Sequence, residues 1–246
     1  MNESAASHAI LDRVSRLSKA RKIGAVLDDF GGGLSGRRVL DIGTGAGVIA
    51  GYLAERAGFV VSVDIVDERV EPDIVFLLVG DEELPFKAHS FDIVISNHLL
   101  DHVEDQKKHL WEIHRILDDG GMSYLAVFNR YALIEPHYGL PLLSWLPASG
   151  RNLYLKKTKG RPYDISPIAY RQLTRLASSV GFEVQDVSLD IVKNPERYAM
   201  GSGLSSRGMS LLPRWLLALV RPIFPSFILL LRKPPSNGAT RPEGLQ

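Results

Sequence analysis

Three glycines at alternate positions, Gly43, Gly45 and Gly47, form the segment of this sequence with the clearest capacity for chemistry. Apolar residues 39–40 precede them as the end of a strand, and residues 48–55 follow them with a helical pattern. Glycine turns of this kind bring main-chain N–H groups at the start of a helix close to a bound ligand. The segment therefore predicts a site for a nucleotide or a related molecule.

Two aspartates near this turn narrow the class of ligand. Asp64 ends the next apolar run and follows the first glycine by about 20 residues, the offset at which a carboxylate can bind ribose hydroxyls. A dinucleotide fingerprint would place its third glycine where Val48 stands. Asp41, two residues before the first glycine, could reach the amino group of a cationic ligand. The spacing therefore favours a nucleoside with a cationic group over a dinucleotide.

Several polar residues near predicted strand ends are candidates for proton transfer. Asn97 and His98 end the fourth predicted strand, whereas Glu135, His137 and Tyr138 belong to a long insertion after the fifth strand. Imidazole titrates near neutral pH, so a histidine here could accept the proton of a hydroxyl group. His98 is the first candidate for this general base, and the three residues of the insertion are the alternatives.

Two polar residues that follow the fourth strand have simpler predicted roles. Asp101 is expected to cap a helix, and His102 is expected to be a packed or hydrogen-bonded histidine. The sequence contains no cysteine, which excludes disulfides and thiolate-bound metals, and no metal-binding set is predicted.

The elements that must position these residues alternate between strands and helices, which predicts a parallel, doubly wound α/β sheet. The predicted strands cover 38–42, 59–64, 73–79, 90–97, 122–128, 182–190 and 227–231. The predicted helices cover 48–57, 105–117, 166–180 and a stretch near 210–220, and Ser166 caps the third of these. The third strand is apolar throughout, as buried parallel strands are.

The chain is expected to form one main domain with additions. The predicted parts are an N-terminal helical cap (1–35), the main domain (36–233) with insertions at 129–164 and 191–224, and a disordered tail (234–246). Residues 5–30 predict a pair of helices over the cofactor-side edge of the sheet, with basic residues mostly on a solvated face. The 129–164 insertion is rich in aromatic and basic residues, which is typical of a lid or binding element.

Charge is divided unevenly between the two halves of the chain. The formal net charge of +1 combines −8 in residues 1–120 with +9 in residues 121–246. The basic half could meet a phosphorylated substrate or an anionic membrane, or it could merely offset the field of the acidic half. Nucleic acid is not expected as a partner, because the basic residues are scattered and no RNA-binding module is recognisable.

The most apolar stretch, Met209 to Leu231, raises the question of membrane contact. Arg214, Arg221 and three prolines interrupt it, so a membrane-spanning helix is not expected. The N-terminus shows no pattern of a secretory signal. The sequence therefore predicts a cytoplasmic protein, with contact at the inner membrane face through residues 209–231 as a further expectation.

Motifs spread over residues 36–130 resemble the class I S-adenosylmethionine-dependent methyltransferases, and specifically the type 11 group. The residues that carry the resemblance are Asp41-x-Gly43-x-Gly45-x-Gly47, Asp64, Gly80-Asp81-x-x-Leu84-Pro85-Phe86 and Phe91-Asp92-x-Val94-x-Ser96-Asn97. The resemblance implies a seven-stranded sheet of order 3-2-1-4-5-7-6 with the last strand antiparallel. It also implies S-adenosyl-L-methionine as cofactor.

The resemblance further implies roles for individual residues. Asp41, Gly43, Thr44 and Gly45 would hold the methionine part of the cofactor, Asp64 the ribose, and Ile65 would lie against the adenine. Asp81 would accept a hydrogen bond from the adenine amino group, and Glu82 would supply a nearby N–H. Asn97 and His98 would border the sulfonium and the incoming substrate.

The function expected from these features is methyl transfer to a hydroxyl of a small molecule or glycan. The aromatic and basic insertion favours a sugar that carries phosphate. The apolar stretch near 210–220 could rest on a bilayer if that sugar is lipid-linked. A quinone precursor or a secondary metabolite is an alternative acceptor. A catalytically inactive partner subunit that binds the cofactor and a nicotinamide oxidoreductase are alternatives of other classes.

Overall fold

The computed structural model describes residues 3–71, 73–80, 83–200 and 204–236, with side chains from residue 13 onward except those of 204–207. In these ranges the strands are β1 (Arg38–Ile42), β2 (Phe59–Asp64), β3 (Val75–Leu78), β4 (Phe91–Asn97), β5 (Leu117–Phe128), β6 (Glu183–Asp186) and β7 (Ser226–Arg232). The α-helices are α1 (Glu3–Phe30), α2 (Val48–Ala54), α3 (Gln106–Ile116), α4 (Ala148–Lys159), α5 (Tyr170–Val180), α6 (Ser188–Lys193), α7 (Leu204–Leu211) and α8 (Arg214–Val220). Most of the predicted tail, residues 237–246, lies outside the described ranges.

The described strands form one sheet of order β3-β2-β1-β4-β5-β7-β6, which confirms the predicted fold class and strand order. Strand β7 runs antiparallel to both of its neighbours, and the other pairs are parallel. The strand order reverses between β1 and β4, and ligands of open α/β sheets bind beyond the carboxyl ends of strands at such a point. The fold therefore places a candidate site where β1 and β4 end.

Helices cover both faces of the sheet, so successive residues of the central strands are buried on opposite sides. On β1, Val39 packs with Leu27 of α1 and Leu53 of α2, whereas Leu40 packs in the cluster that contains Ile113 of α3. Burial on both faces explains why β1, β2 and β4 are nearly continuous apolar runs.

The third strand is not buried as its composition predicts. Strand β3 lies at the edge of the sheet and covers only Val75–Leu78. Among the described strands it pairs with β2, and its Val75 and Leu78 side chains are exposed to 48% and 65%.

The N-terminal segment forms one long helix and not the predicted pair. Helix α1 continues through Gly24, where a side chain would come within 2.5 Å of the Arg56 guanidinium and 3.1 Å of the Tyr52 ring. This glycine therefore permits close packing against α2 and does not break the helix. The helix ends at Phe30, directly before Gly31, Gly32 and Gly33.

Three predicted boundaries in the C-terminal half are wrong. Helix α5 begins at Tyr170 and not at Ser166, because Ser166 N–H donates to the Asp101 carbonyl (2.7 Å) and Ile168 pairs with Asn129, the residue after β5. Strand β6 ends at Asp186, and α6 replaces the rest of the predicted 182–190 strand. The predicted helix near 210–220 is divided, because α7 ends at Leu211 and α8 begins at Arg214 after Pro213.

No helix in the described ranges combines the length and apolar character needed to cross a membrane.

Candidate functional site

The turn between β1 and α2 has the conformation that its three glycines predict. Gly43, Gly45 and Gly47 have φ angles of 73°, 53° and 79°, in the left-handed region that residues with a Cβ rarely adopt. The Val63 carbonyl of β2 accepts hydrogen bonds from Gly43 N–H (2.9 Å) and Thr44 N–H (3.3 Å). The turn is thereby fixed at the carboxyl end of the sheet.

Asp64 lies directly against this turn. One carboxylate oxygen accepts from Gly45 N–H and the other from Ile65 N–H, each at 2.8 Å. The Ile65 side chain is 56% exposed, so its apolar surface is available to a flat ligand such as a base. The structure thus brings Gly45, Asp64 and Ile65 together, as the sequence predicts.

Asp41 is buried beneath the same turn. Its carboxylate accepts a hydrogen bond from the Thr44 hydroxyl (2.8 Å) and is 1% exposed. Burial raises the pKa of Asp41 to about 7, and the charge of Asp64 adds to this effect although the Thr44 bond opposes it. A ligand cation beside Asp41 would relieve the penalty of ionising a buried carboxyl group.

His98 follows β4 in a left-handed conformation, with φ of 55°. Its ring stacks on Phe128 with centroids 4.0 Å apart, and its Nδ1 atom is buried without a hydrogen bond from or to any described residue. Burial, together with the charges of Lys19 and Lys22, lowers the pKa of His98 to about 3. The first predicted general base is therefore a weak base in this structure. Asn97, just before it, is half-buried.

Helix α1 carries basic residues over the site and not only on a solvated face. A side chain at Gly45 would meet the Arg16 guanidinium at 3.0 Å, and Lys19 and Lys22 act on the charge state of His98. Their spacing of three residues places them along one side of the helix. This spacing is present in the sequence, but their position above the site depends on how α1 packs.

A second polar cluster combines residues from the end of β4 and from the insertion. His137 Nδ1 lies 2.9 Å from Glu135 Oε1, and His137 Nε2 lies 3.1 Å from both Asp101 Oδ2 and His102 Nε2. Glu135 Oε2 accepts a hydrogen bond from Tyr138 N–H at 2.7 Å. We call Asp101, His102, Glu135 and His137 the histidine–carboxylate cluster.

Burial and charge act in opposite directions within this cluster. Burial raises the pKa of Asp101. Burial alone would raise the pKa of Glu135 too, but hydrogen bonds from His137 and Tyr138 outweigh it and the pKa is lowered. For His137, burial is outweighed by the Glu135 hydrogen bond and the Asp101 charge, so its pKa is raised. The imidazole of His137 is therefore a stronger base than that of His98.

Asp101 is not the helix cap that the sequence predicts, whereas His102 is hydrogen-bonded, as predicted. Asp105 caps α3 instead of Asp101, because its Oδ1 accepts from Lys107 N–H (3.0 Å) and Lys108 N–H (2.9 Å). The His102 side chain is exposed and faces His137, although the two lie 35 positions apart in the chain. Only the folded insertion brings them together.

The ring of Phe128 connects this cluster to the end of β4. Phe128 stacks on His98 and contacts His137 edge-to-face with centroids 4.8 Å apart. The predicted catalytic residues His98, Glu135 and His137 therefore lie in one region. Their roles, and those of the predicted cofactor-binding residues, remain predictions.

The 129–164 insertion packs around an apolar centre of its own, formed by Tyr138, Leu143, Leu155 and Ile165. The Arg161 guanidinium lies 4.7 Å from the centre of the Tyr138 ring, and the Tyr138 hydroxyl donates to Asp164. Its basic and aromatic residues thus contact one another as well as solvent.

Asp81 and Glu82, two predicted cofactor ligands, lie outside the described ranges.

Comparison with known families identifies the central part of the chain. A family profile described as a methyltransferase domain matches residues 40–125. Among curated proteins, ubiquinone biosynthesis O-methyltransferase from Nitrosomonas europaea is 26% identical over 134 residues, which cover 48% of this chain and 57% of that protein. Mitochondrial arginine-hydroxylase NDUFAF5 from Homo sapiens is 32% identical over 162 residues, which cover 63% of this chain and 44% of that protein. The chain therefore spans about half the length of these relatives.

Solved structures support the fold over most of the chain. A SAM-dependent methyltransferase from Thermotoga maritima, described as a possible histamine N-methyltransferase, is 18% identical and has a TM-score of 0.54. The match covers 92% of this chain and 95% of that chain. The family match and the fold together confirm the group that the motifs predict.

Proposed function

Residues 40–125 are a methyltransferase domain of the type 11 group, and on that premise we propose that this chain transfers the methyl group of S-adenosyl-L-methionine to an oxygen of a small acceptor. The observation that carries the proposal is the left-handed glycine turn held by Asp64 above the buried Asp41. The same turn would suit a cationic nucleoside better than a pyrophosphate, because a buried carboxylate repels phosphate.

The cofactor would lie across the carboxyl ends of β1 and β2. Asp64 would bind the ribose hydroxyls, Ile65 would contact the adenine, and the turn from Gly43 to Gly45 would hold the methionine part. Asp41 would face the positive charge of the cofactor. Asp81 stays the proposed partner of the adenine amino group.

Methyl transfer breaks the bond between sulfur and the methyl carbon and forms a bond between that carbon and the acceptor oxygen. The electron pair stays on sulfur, and the hydroxyl proton must leave. The protein would contribute by holding the two reactants in line, which can lower the barrier by several kcal/mol, and by accepting the proton. The histidine–carboxylate cluster is the proposed proton acceptor, because His98 is a much weaker base.

Positive charge near the site supports an anionic acceptor. Lys19 and Lys22 lie close enough to His98 to lower its pKa. We propose a sugar that carries phosphate as the first acceptor class. A quinone precursor is the second candidate, supported by the similarity to a ubiquinone biosynthesis O-methyltransferase.

Two measurements test this function. Calorimetric titration should detect S-adenosylhomocysteine binding and no NAD binding; the reverse result would support an oxidoreductase. Radiolabelled methyl transfer from S-adenosylmethionine should then be assayed against phosphorylated sugars, lipid-linked sugars and quinone precursors. Cofactor binding without transfer to any of these classes would favour a catalytically inactive partner subunit.

Exposed apolar side chains on α7 and α8 support membrane contact through residues 209–231. Leu211, Trp215 and Leu219 are exposed to 84%, 70% and 70%. Trp215 and Leu219 are four residues apart and therefore share one side of α8. A lipid-linked acceptor would be reached from such a surface.

Vesicle flotation with a matched pair of tryptophan variants tests this contact. Trp215→Ser should weaken binding to anionic vesicles at least about tenfold, because it removes the burial of a large apolar side chain. Trp111→Ser, at a 52% exposed position on α3, should leave binding unchanged. Equal binding by the wild type and both variants would exclude this membrane surface.

A further inference from the structure

Three nitrogen and oxygen atoms of the histidine–carboxylate cluster converge on one point. The atoms belong to Asp101, His102 and His137, and they all lie within 4.8 Å of one another. We infer that these three side chains bind a divalent first-row transition-metal ion. The sequence predicts no metal site, because its ligands come from two distant segments.

The distances between these atoms agree with binding to a common ion. His137 Nε2 lies 3.1 Å from both His102 Nε2 and Asp101 Oδ2. Ligands that lie about 2.0–2.2 Å from an ion are about 2.8–3.1 Å apart when adjacent in an octahedral arrangement and about 3.3–3.6 Å apart in a tetrahedral one. The two histidine rings meet almost at a right angle, with an interplanar angle of 76°.

Glu135 orients His137 as an outer carboxylate orients a metal-bound histidine. Its Oε1 lies 2.9 Å from His137 Nδ1, so a proton on Nδ1 leaves the Nε2 lone pair facing Asp101 and His102. Histidine ligands of metals nearly always donate their other N–H group in this way. Tyr138 N–H in turn holds the second oxygen of Glu135.

Asp101 provides an independent indication of a ligand. Its side chain is 0% exposed, and neither carboxylate oxygen accepts a hydrogen bond from any described residue. A buried carboxylate without donors is costly unless a positive charge lies beside it. A proton on His137 could supply one charge, whereas a divalent ion would also satisfy the exposed imidazole of His102.

The ligand types identify the class of ion. Two imidazoles and one carboxylate suit Zn²⁺, Fe²⁺, Co²⁺ or Ni²⁺, whereas Mg²⁺ and Ca²⁺ prefer oxygen ligands. The role of the ion rests on the proposed function, since Phe128 connects the cluster to the acceptor region. When bound, such an ion makes a coordinated hydroxyl group more acidic. His137 Nε2 would then be a ligand and not a proton acceptor, so the ion would replace His137 as the group that activates the hydroxyl.

Metal titration of the full-length, chelator-treated protein tests the site without cofactor or acceptor. Calorimetry with Zn²⁺ should find one tight site per chain, and Co²⁺ should give the visible absorption of a histidine-bound ion. His102→Asn should weaken Zn²⁺ binding at least about 100-fold. Glu135→Gln removes no ligand and should weaken binding by about 10–100-fold.

His89→Asn is the matched control. The Nδ1 atom of His89 lies 3.6 Å and 3.5 Å from carboxylate oxygens of Asp118 and Asp119, but on a 49% exposed side chain. This variant should bind Zn²⁺ like the wild type. His102 is exposed, so His102→Asn should fold, and an unchanged circular dichroism spectrum would verify it.

Two results would overturn the site: no Zn²⁺ binding by the wild type, or equal weakening by His102→Asn and His89→Asn. The proposed methyltransferase activity can fail separately. Metal binding without methylation of any acceptor would leave the site intact and refute the activity. Methylation that a chelator leaves unchanged, in a protein that binds no Zn²⁺, would refute the site alone.

Discussion

The cofactor side and the acceptor side of the candidate site are built in different ways. The cofactor side lies within residues 41–65, and main-chain N–H groups of its glycine turn bond to Asp64 and to β2. The acceptor side is assembled from side chains of α1, the end of β4 and the 129–164 insertion. The proposed cofactor side thus depends on local backbone geometry, whereas the proposed acceptor side depends on tertiary packing.

The two sides also differ in the groups that contact their carboxylates. Asp41 and Asp64 have hydroxyl and amide partners, so their charge remains available to a cationic ligand. Asp101 and Glu135 have the His137 imidazole between them. Variants on the cofactor side should therefore change binding of the cofactor, and variants on the acceptor side should change turnover.

Asp64→Ala should have the largest effect. It removes the proposed bonds to two ribose hydroxyls, each worth about 1.5–3 kcal/mol when the acceptor is charged, and it frees the Gly45 and Ile65 N–H groups. S-adenosylhomocysteine affinity should fall about 1,000-fold, which calorimetry would measure.

Asp67→Ala is the control for that variant. Asp67 is exposed, and its carboxylate contacts Arg69, which lies two residues further along the chain. Cofactor affinity should stay within about twofold of the wild type. If Asp64→Ala lost no more affinity than Asp67→Ala, the proposed ribose site would be wrong.

Two histidine variants on the acceptor side should lower kcat by different amounts. His137→Ala should lower kcat by at least about 100-fold, the typical contribution of a positioned proton acceptor, with cofactor affinity unchanged. His98→Asn should lower kcat less than about tenfold, because a group with a pKa of about 3 accepts few protons at neutral pH. Asparagine tolerates the left-handed backbone at this position.

Steady-state kinetics with saturating cofactor would measure both effects once an acceptor is known. A larger loss of kcat for His98→Asn than for His137→Ala would support His98, and not His137, as the general base. Equal, small losses would indicate an acceptor that needs no base.

The difference between the two sides explains which parts of the structure the sequence predicts. The glycine turn, Asp64 and the strands on either side are contiguous, and backbone conformation alone requires their residue types. The alternation of strands and helices predicts the doubly wound sheet, and the resemblance to class I methyltransferases implies its strand order. The confirmed predictions therefore concern local backbone conformation and the strand order that the resemblance implies.

The contacts between residues of the acceptor side could not be predicted from the sequence in the same detail. Asp101 and His102 resemble a helix cap and a packed histidine until the insertion folds against them. Helix α1 has basic residues on several sides, and only its packing selects Arg16, Lys19 and Lys22. Ser166 and Pro167 have the local pattern of a helix start, but a hydrogen bond to the Asp101 carbonyl holds them outside α5.

The smallest predicted effect is a dependence of cofactor affinity on pH through Asp41. Its pKa of about 7 in the folded protein means that the carboxyl group is mostly protonated below that pH. The ammonium group of S-adenosylhomocysteine stays charged between pH 5.5 and 7.5 and should favour the ionised form. Affinity should therefore rise up to about tenfold per pH unit as pH increases towards 7, and then level off.

Asp41→Asn should remove this dependence, and it should also change the stability of the ligand-free protein. Because folding raises the pKa of Asp41 above its value of 3.8, the group binds protons more tightly in the folded state. The contribution of the protonated Asp41 carboxyl group to the free energy of unfolding is therefore fully present below about pH 4, and it is lost as pH rises through about 7. Asp41→Asn should stabilise the ligand-free protein at pH 8 more than at pH 5, as urea denaturation would measure. If the cofactor affinity of the wild type were constant from pH 5.5 to 7.5, Asp41 would not contact the charge of the cofactor, and its burial would need another explanation.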